Sequence, residues 1–97
     1  MSWRIKYSSH LRERIRIREL PYDLAKDILI FATERYYDTM THHLVAIGKG
    51  KYKGKIREFV VVYREDPLNK VVEVITIHPL KLDQKENRIK KGRWIGK

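Results

Sequence analysis

The chain has 97 residues, with 22 Lys or Arg against 12 Asp or Glu and a formal net charge of +10. That length fits a single domain over residues 1–97 burying roughly 60–65% of its unfolded surface, and leaves no room for a two-domain enzyme. Cysteine is absent, which excludes a disulfide framework, a thiolate metal site and a cysteine nucleophile.

Trp3, Ile5 and Tyr7 alternate with Arg4 and Lys6, a period of two that predicts a short first strand. Ser8 or Ser9 can then cap a helix starting near His10. Leu11 and Ile15, four apart, would form its inner face. His10 and Arg14 fall on a neighbouring stripe, and Arg12, Arg16 and Arg18 are expected to project elsewhere. Pro21 suits a helical first turn and Asp23 a helix N-terminus. Leu24, Ala25, Ile28, Leu29, Phe31 and Ala32 recur at helical spacing, predicting a second helix that runs to about Glu34.

Over residues 41–48, His43, Val45 and Ile47 alternate with His42, Leu44 and Ala46, the pattern of a strand. Gly48 to Gly54 reads as a lysine-rich turn, and Ile56 to Arg64 as the next strand. The centre of that strand, Phe59 to Tyr63, is apolar on both faces, as in a central strand. Asp66 to Lys70 has hairpin chemistry, and Val71 to Ile77 is a third β-branched strand ended by His78-Pro79. Residues 82–91 read as a polar helix stopped by Gly92, after which Trp94 and Ile95 would pin the tail to the core. The expected fold class is α+β, with two N-terminal helices packed on a curved antiparallel sheet of about four strands and a polar C-terminal helix or tail.

The charge is concentrated. Residues 1–18 hold six basic and one acidic residue, residues 49–57 five basic and none acidic, and residues 81–97, a basic C-terminal extension, seven basic and two acidic. Each segment therefore carries +5, while 19–48 and 58–80 sum to −3 and −2. If the three converge in space they attract a polyanion, most simply nucleic acid, either free or on the ribosome. The alternative is a basic surface that serves solubility alone. The longest apolar run, Phe59 to Tyr63, is too short to span a bilayer, and the start of the chain lacks the apolar region of a signal peptide. A cytoplasmic location without a membrane partner is expected.

The four histidines carry no metal-binding signature. His42 and His43 are adjacent on a predicted strand and would point to opposite faces, with no HExxH motif and no close acidic cluster. No metal and no cofactor is expected. Gly48, Gly50 and Gly54 lack the order of a nucleotide-binding loop and precede a strand, not a helix. Lys49, Lys51, Lys53 and Lys55 could instead touch a phosphate backbone, with Tyr52 stacking on a base, or form a solvated hairpin tip. Metal-free RNA cleavage asks for a base to activate the 2′-hydroxyl, an acid for the 5′-oxygen, and cations for the phosphorane charge. His10 and His78 are the candidate acid and base, and Arg14, Arg57 and Arg88 the candidate charge stabilisers. Arg12 and Arg93 join the lysines as candidate nucleic-acid contacts.

Tyr7-Ser-Ser-His10 with Arg14 and Arg18, followed by an amphipathic helix and a strand series ending Val74-Ile-Thr-Ile-His78, resembles a small family near the BrnT and RelE toxins, in the barnase–EndoU–colicin–RelE group of metal-independent nucleases. Ser8-Ser9-His10 and Arg14 match its S-x-H-x-x-x-R pattern, and Val74-Ile75-Thr76 its closing V-I-T. The resemblance covers most of residues 5–80. It implies helices against a curved antiparallel sheet, RNA as substrate, an antitoxin protein as partner, and His10 and Arg14 as site residues, with Thr76 a further match to the closing-strand pattern. The leading expectation is a small metal-independent ribonuclease acting as a toxin. The alternatives are a non-catalytic RNA- or ribosome-binding domain and a basic protein-interaction module.

Overall fold

The computed structural model describes residues 3–97. In chain order the elements are β1 (Arg4–Tyr7), α1 (Ser9–Arg18), α2 (Leu24–Phe31), β2 (Glu34–Asp38), β3 (Leu44–Tyr52), β4 (Lys55–Asp66), β5 (Val71–Pro79), α3 (Gln84–Lys90) and β6 (Trp94–Gly96). The class is α+β, as expected. Among the described residues the sheet has six strands in the order β1-β5-β4-β3-β2-β6, more than the four expected. It is mixed, not purely antiparallel, because β1 runs parallel to β5. A parallel partner 67 residues downstream (Arg4 opposite Val71) leaves no local trace in the chain.

β4 is the central strand, and its side chains alternate between two cores. Phe59, Val61 and Tyr63 join Leu11, Ile15, Leu24, Ala25, Ile28 and Leu29 under α1 and α2. Val60 faces the other way, with Val45, Ile47 and Trp94. Between Val62 and Tyr63 the pairing with β5 slips by one residue, so Ile75 is an extra residue on β5. Such a bulge bends the strand and strengthens its twist.

Ser8 is the N-cap of α1: its hydroxyl accepts from Leu11 N–H at 3.0 Å and donates to the Ile75 carbonyl at 2.8 Å. One serine thus ties the start of the helix to the bulged strand. Tyr7 ties α2 in a similar way, its hydroxyl donating to the Tyr22 carbonyl and accepting from Lys26 N–H.

Four segments depart from expectation. The second helix ends at Phe31, because Ala32 takes an extended conformation, and Phe31 is 77% exposed where an inner-face residue was predicted. Residues 34–38 form β2 instead of a helix end. Its sequence Glu-Arg-Tyr-Tyr-Asp has no aliphatic alternation, and it is held by pairing on both sides. His42 and His43 precede β3 and are not in it; His42 has φ +63°, a turn conformation. The lysine-rich stretch expected to be a turn is mostly strand. β3 runs through Tyr52, and only Lys53 and Gly54, at φ +51° and +78°, make the two-residue hairpin turn. Gly48 and Gly50 are there because α2 lies against them: a Cβ at Gly50 would sit 2.2 Å from Leu24 Cδ1.

At the C-terminal end, α3 starts at Gln84, later than the expected 82, and Gly92 at φ +73° follows it, as expected. Trp94 is buried against Tyr36, while Ile95 stays exposed. Among the described residues no helix is long and apolar enough to cross a membrane.

Candidate active site

β1 pairs with β5 only as far as Val74, and beyond it α1 takes its place along the edge of β5. Because Leu11 and Ile15 face the core, the stripe at positions 10, 14 and 18 lies beside them, facing outward. Arg18 shares this stripe with His10 and Arg14, contrary to the expectation that it projects elsewhere. On the far side, the chain leaves β5 at Pro79 and returns through α3, whose Gln84 and Arg88 face back toward the end of β5.

Between these walls lies an open depression of about 580 Å³. Arg14 and Arg18 of α1, Arg57 of β4, and Lys81 and Arg88 line it around His78, with Pro79 and Gln84 completing the wall. Arg14 and Arg18 come from the first basic segment, Arg57 from the second, and Lys81 and Arg88 from the third. No carboxylate among the described residues lines the depression. Among the described residues none of these five cations is in an ion pair. The Nε atoms of Arg14 and Arg88 are buried with no hydrogen-bond partner among the described residues. Convergent guanidinium groups without counter-ions form a site for an anion, and their planar forks suit phosphate oxygens.

His78 is half-buried. Its Nδ1 lies 3.2 Å from the Pro79 carbonyl oxygen. A carbonyl only accepts, so this contact assigns the proton to Nδ1 and leaves Nε2 as the unprotonated nitrogen. Burial lowers the imidazole pKa below 6.5, and the charges of Arg14, Lys81 and Arg18 lower it further, against the opposing effect of the carbonyl. A neutral imidazole with a free Nε2 beside cations is the state a general base needs.

His10 is exposed, with Nε2 3.4 Å from Arg14 Nη2. It lines a smaller groove of about 230 Å³ with Glu13, Arg14, Ile17 and Arg18. Arg14 and Arg18 are common to both hollows, so the two histidines border adjoining sites bridged by arginine.

The other expected nucleic-acid contacts lie elsewhere. Lys49, Lys51, Lys53 and Lys55 are exposed along the β3–β4 hairpin and do not line the depression. Tyr52 is held in the fold, its hydroxyl donating to the Arg18 carbonyl at 2.8 Å and its ring edge-on to Phe59. Lys53 Nζ lies 5.3 Å from the centre of the same ring. Arg12 donates to the Tyr7 carbonyl at 3.0 Å. Arg93 is engaged by Asp38, with Nε 3.1 Å from both carboxylate oxygens. Thr76 faces away from α1, on the sheet surface that carries Val60 and Val62.

Arg18, Lys81 and Gln84 line the depression without having been singled out from the sequence as site residues. Arg18 had a readable signal, being four residues beyond Arg14. Lys81 and Gln84 depend on how the chain turns after Pro79. His42 meets the Tyr37 hydroxyl through Nδ1 at 2.8 Å. Among the described residues no group of three His, Asp or Glu side chains is placed to hold a metal ion. No protein-family model matches the chain, and no curated protein or solved structure does either.

Proposed function

We propose that the protein is a metal-independent ribonuclease of the RelE/BrnT-like kind. The observation that carries this reading is the set of five unpaired cations around a half-buried His78. In the proposed reaction, His78 Nε2 takes the proton of a ribose 2′-hydroxyl. The 2′-oxygen attacks the adjacent phosphorus, and the bond from phosphorus to the 5′-oxygen breaks. His10, which borders the adjoining groove, is the group that returns a proton to that oxygen. The products are a 2′,3′-cyclic phosphate and a free 5′-hydroxyl. Arg14, Arg57 and Arg88 balance the charge on the pentacoordinate phosphorus, and Arg18 and Lys81 hold the flanking backbone. A cytoplasmic setting and an antitoxin partner belong to this reading.

A non-catalytic RNA- or ribosome-binding role is favoured by one separate observation: Lys49, Lys51, Lys53 and Lys55 form an exposed basic row outside the depression. Incubation of the purified protein with naked and with ribosome-bound mRNA in EDTA separates the two readings. Ribonuclease action yields fragments ending in cyclic phosphate, and His78→Asn is expected to lower the rate about 10²-fold or more. Intact RNA on both substrates, with binding retained, would leave the non-catalytic reading.

A further inference from the structure

On the sheet face opposite α1 and α2, a second depression of about 230 Å³ opens beside α3. Its floor is aliphatic, formed by Val45, Val60, Val62 and Ile75, the extra residue of the β5 bulge. Thr76 and His43 stand at its rim, and among the described residues neither the Thr76 hydroxyl nor the His43 ring has a hydrogen-bond partner. Trp94, 4% exposed, forms part of the wall, and its buried indole Nε1 has no partner among the described residues. Thr41 and the Asp38–Arg93 pair complete the wall, and an apolar floor with a few polar groups at the edge is a lining that suits a heteroaromatic ring.

This hollow is not isolated. His78, Gln84 and Arg88 line both it and the cationic depression. The border between a site for phosphate and a site for a ring is therefore formed by His78, Gln84 and Arg88. In a nucleotide the ribose joins those two parts.

We propose that the second depression binds the nucleobase on the 5′ side of the scissile phosphate, with Thr76 and His43 reading its edge. The proposal rests on the RNA reading of the cationic site and adds to it a source of base preference. A base held over Val60 and Val62, with its phosphate among Arg14, Arg57 and Arg88, places the ribose at the border. The 2′-hydroxyl is then beside the nitrogen proposed to deprotonate it. Base binding would thus orient the attacking oxygen as well as select the nucleotide. It also gives His43 a role that its position in the chain did not suggest.

The test measures binding of short 2′-O-methyl homopolymers of A, C, G and U, which lack the attacking hydroxyl, and of an abasic sugar-phosphate oligomer of the same length. The wild-type protein is expected to bind its best homopolymer at least about tenfold more tightly than the abasic chain. Val62→Phe, which fills the hollow, should remove that advantage and leave abasic binding unchanged. Thr76→Val, nearly isosteric and placed to keep the fold, should flatten the preference among the four bases. Equal binding of abasic and base-bearing chains, with neither variant changing it, would overturn the base pocket while the cationic site stands. Failure of every oligomer to bind would remove the RNA reading and the pocket together.

Discussion

His78 must be neutral to accept a proton, and its surroundings keep it so. Its pKa lies below 6.5 because of burial first and then the charges of Arg14, Lys81 and Arg18. The proposed cleavage should therefore persist as pH falls through 6.5 and decline only at lower pH, a limb readable in kcat/KM against pH. Arg14→Gln removes one of the lowering charges and should move that limb upward. The same shift has a stability consequence. The unfolded chain takes up the proton more readily than the folded one, so stability is complete above about 6.5 and falls as pH drops toward the folded-state value. His78→Gln should remove that part of the pH dependence in urea titrations.

Asp38, the last residue of β2, is buried. Burial alone would raise its pKa, but the bond from Arg93 and the N–H groups of Met40 and Thr41 outweigh it and hold the pKa below 3.8. It stabilises the fold above that value and ceases to do so under acid. Asp38→Asn leaves Arg93 without its partner and should cost on the order of 3 kcal/mol at neutral pH, measured by urea unfolding. Much of this residue-level detail was hidden in the sequence. The His10–Arg14 spacing was readable because a helix fixes it. The Asp38–Arg93 pair, 55 residues apart, was not.

At the scale of the element, local patterns were reliable where aliphatic side chains carried them. Val71 to Ile77 and Phe59 to Tyr63 are strands, and Leu11 and Ile15 are the inner face of α1, all as their spacing indicates. β2 was missed because its stability comes from neighbours on both edges and from the Tyr36–Trp94 stack, not from aliphatic alternation. The lysine-glycine segment misled for a different reason. Gly48 and Gly50 look like turn residues, yet they are small because Ile28 and Leu24 press on them from α2. Gly50→Ala should therefore destabilise the protein by about 1–3 kcal/mol, seen as a lower midpoint in thermal or urea unfolding. Gly50 is not at a positive φ, so a glycine kept there only for a turn would tolerate alanine, and the substitution separates the two explanations. The cap on α1 makes a smaller contribution: Ser8→Ala should cost about 1 kcal/mol, and the freed Ile75 carbonyl adds to it.

Over the whole molecule, the +10 charge is organised by topology. The three basic segments were visible in the chain, but their meeting point was not. It depends on β1 ending at Tyr7, opposite Val74, on α1 taking over the edge of β5, and on α3 folding back beside Pro79. Five cations then share one depression, whereas the row from Lys49 to Lys55 extends away from it. The salt dependence of binding to single-stranded 2′-O-methyl RNA tests this convergence directly. Each neutralised phosphate contact contributes roughly −0.7 to the slope of log K against log salt for a single strand. Replacing one cation from each segment, Arg18→Gln with Arg57→Gln and Arg88→Gln, should reduce the slope by about 2 and weaken binding at every salt concentration. An unchanged slope and affinity in the folded triple variant would show that the three segments do not act on one nucleic-acid site.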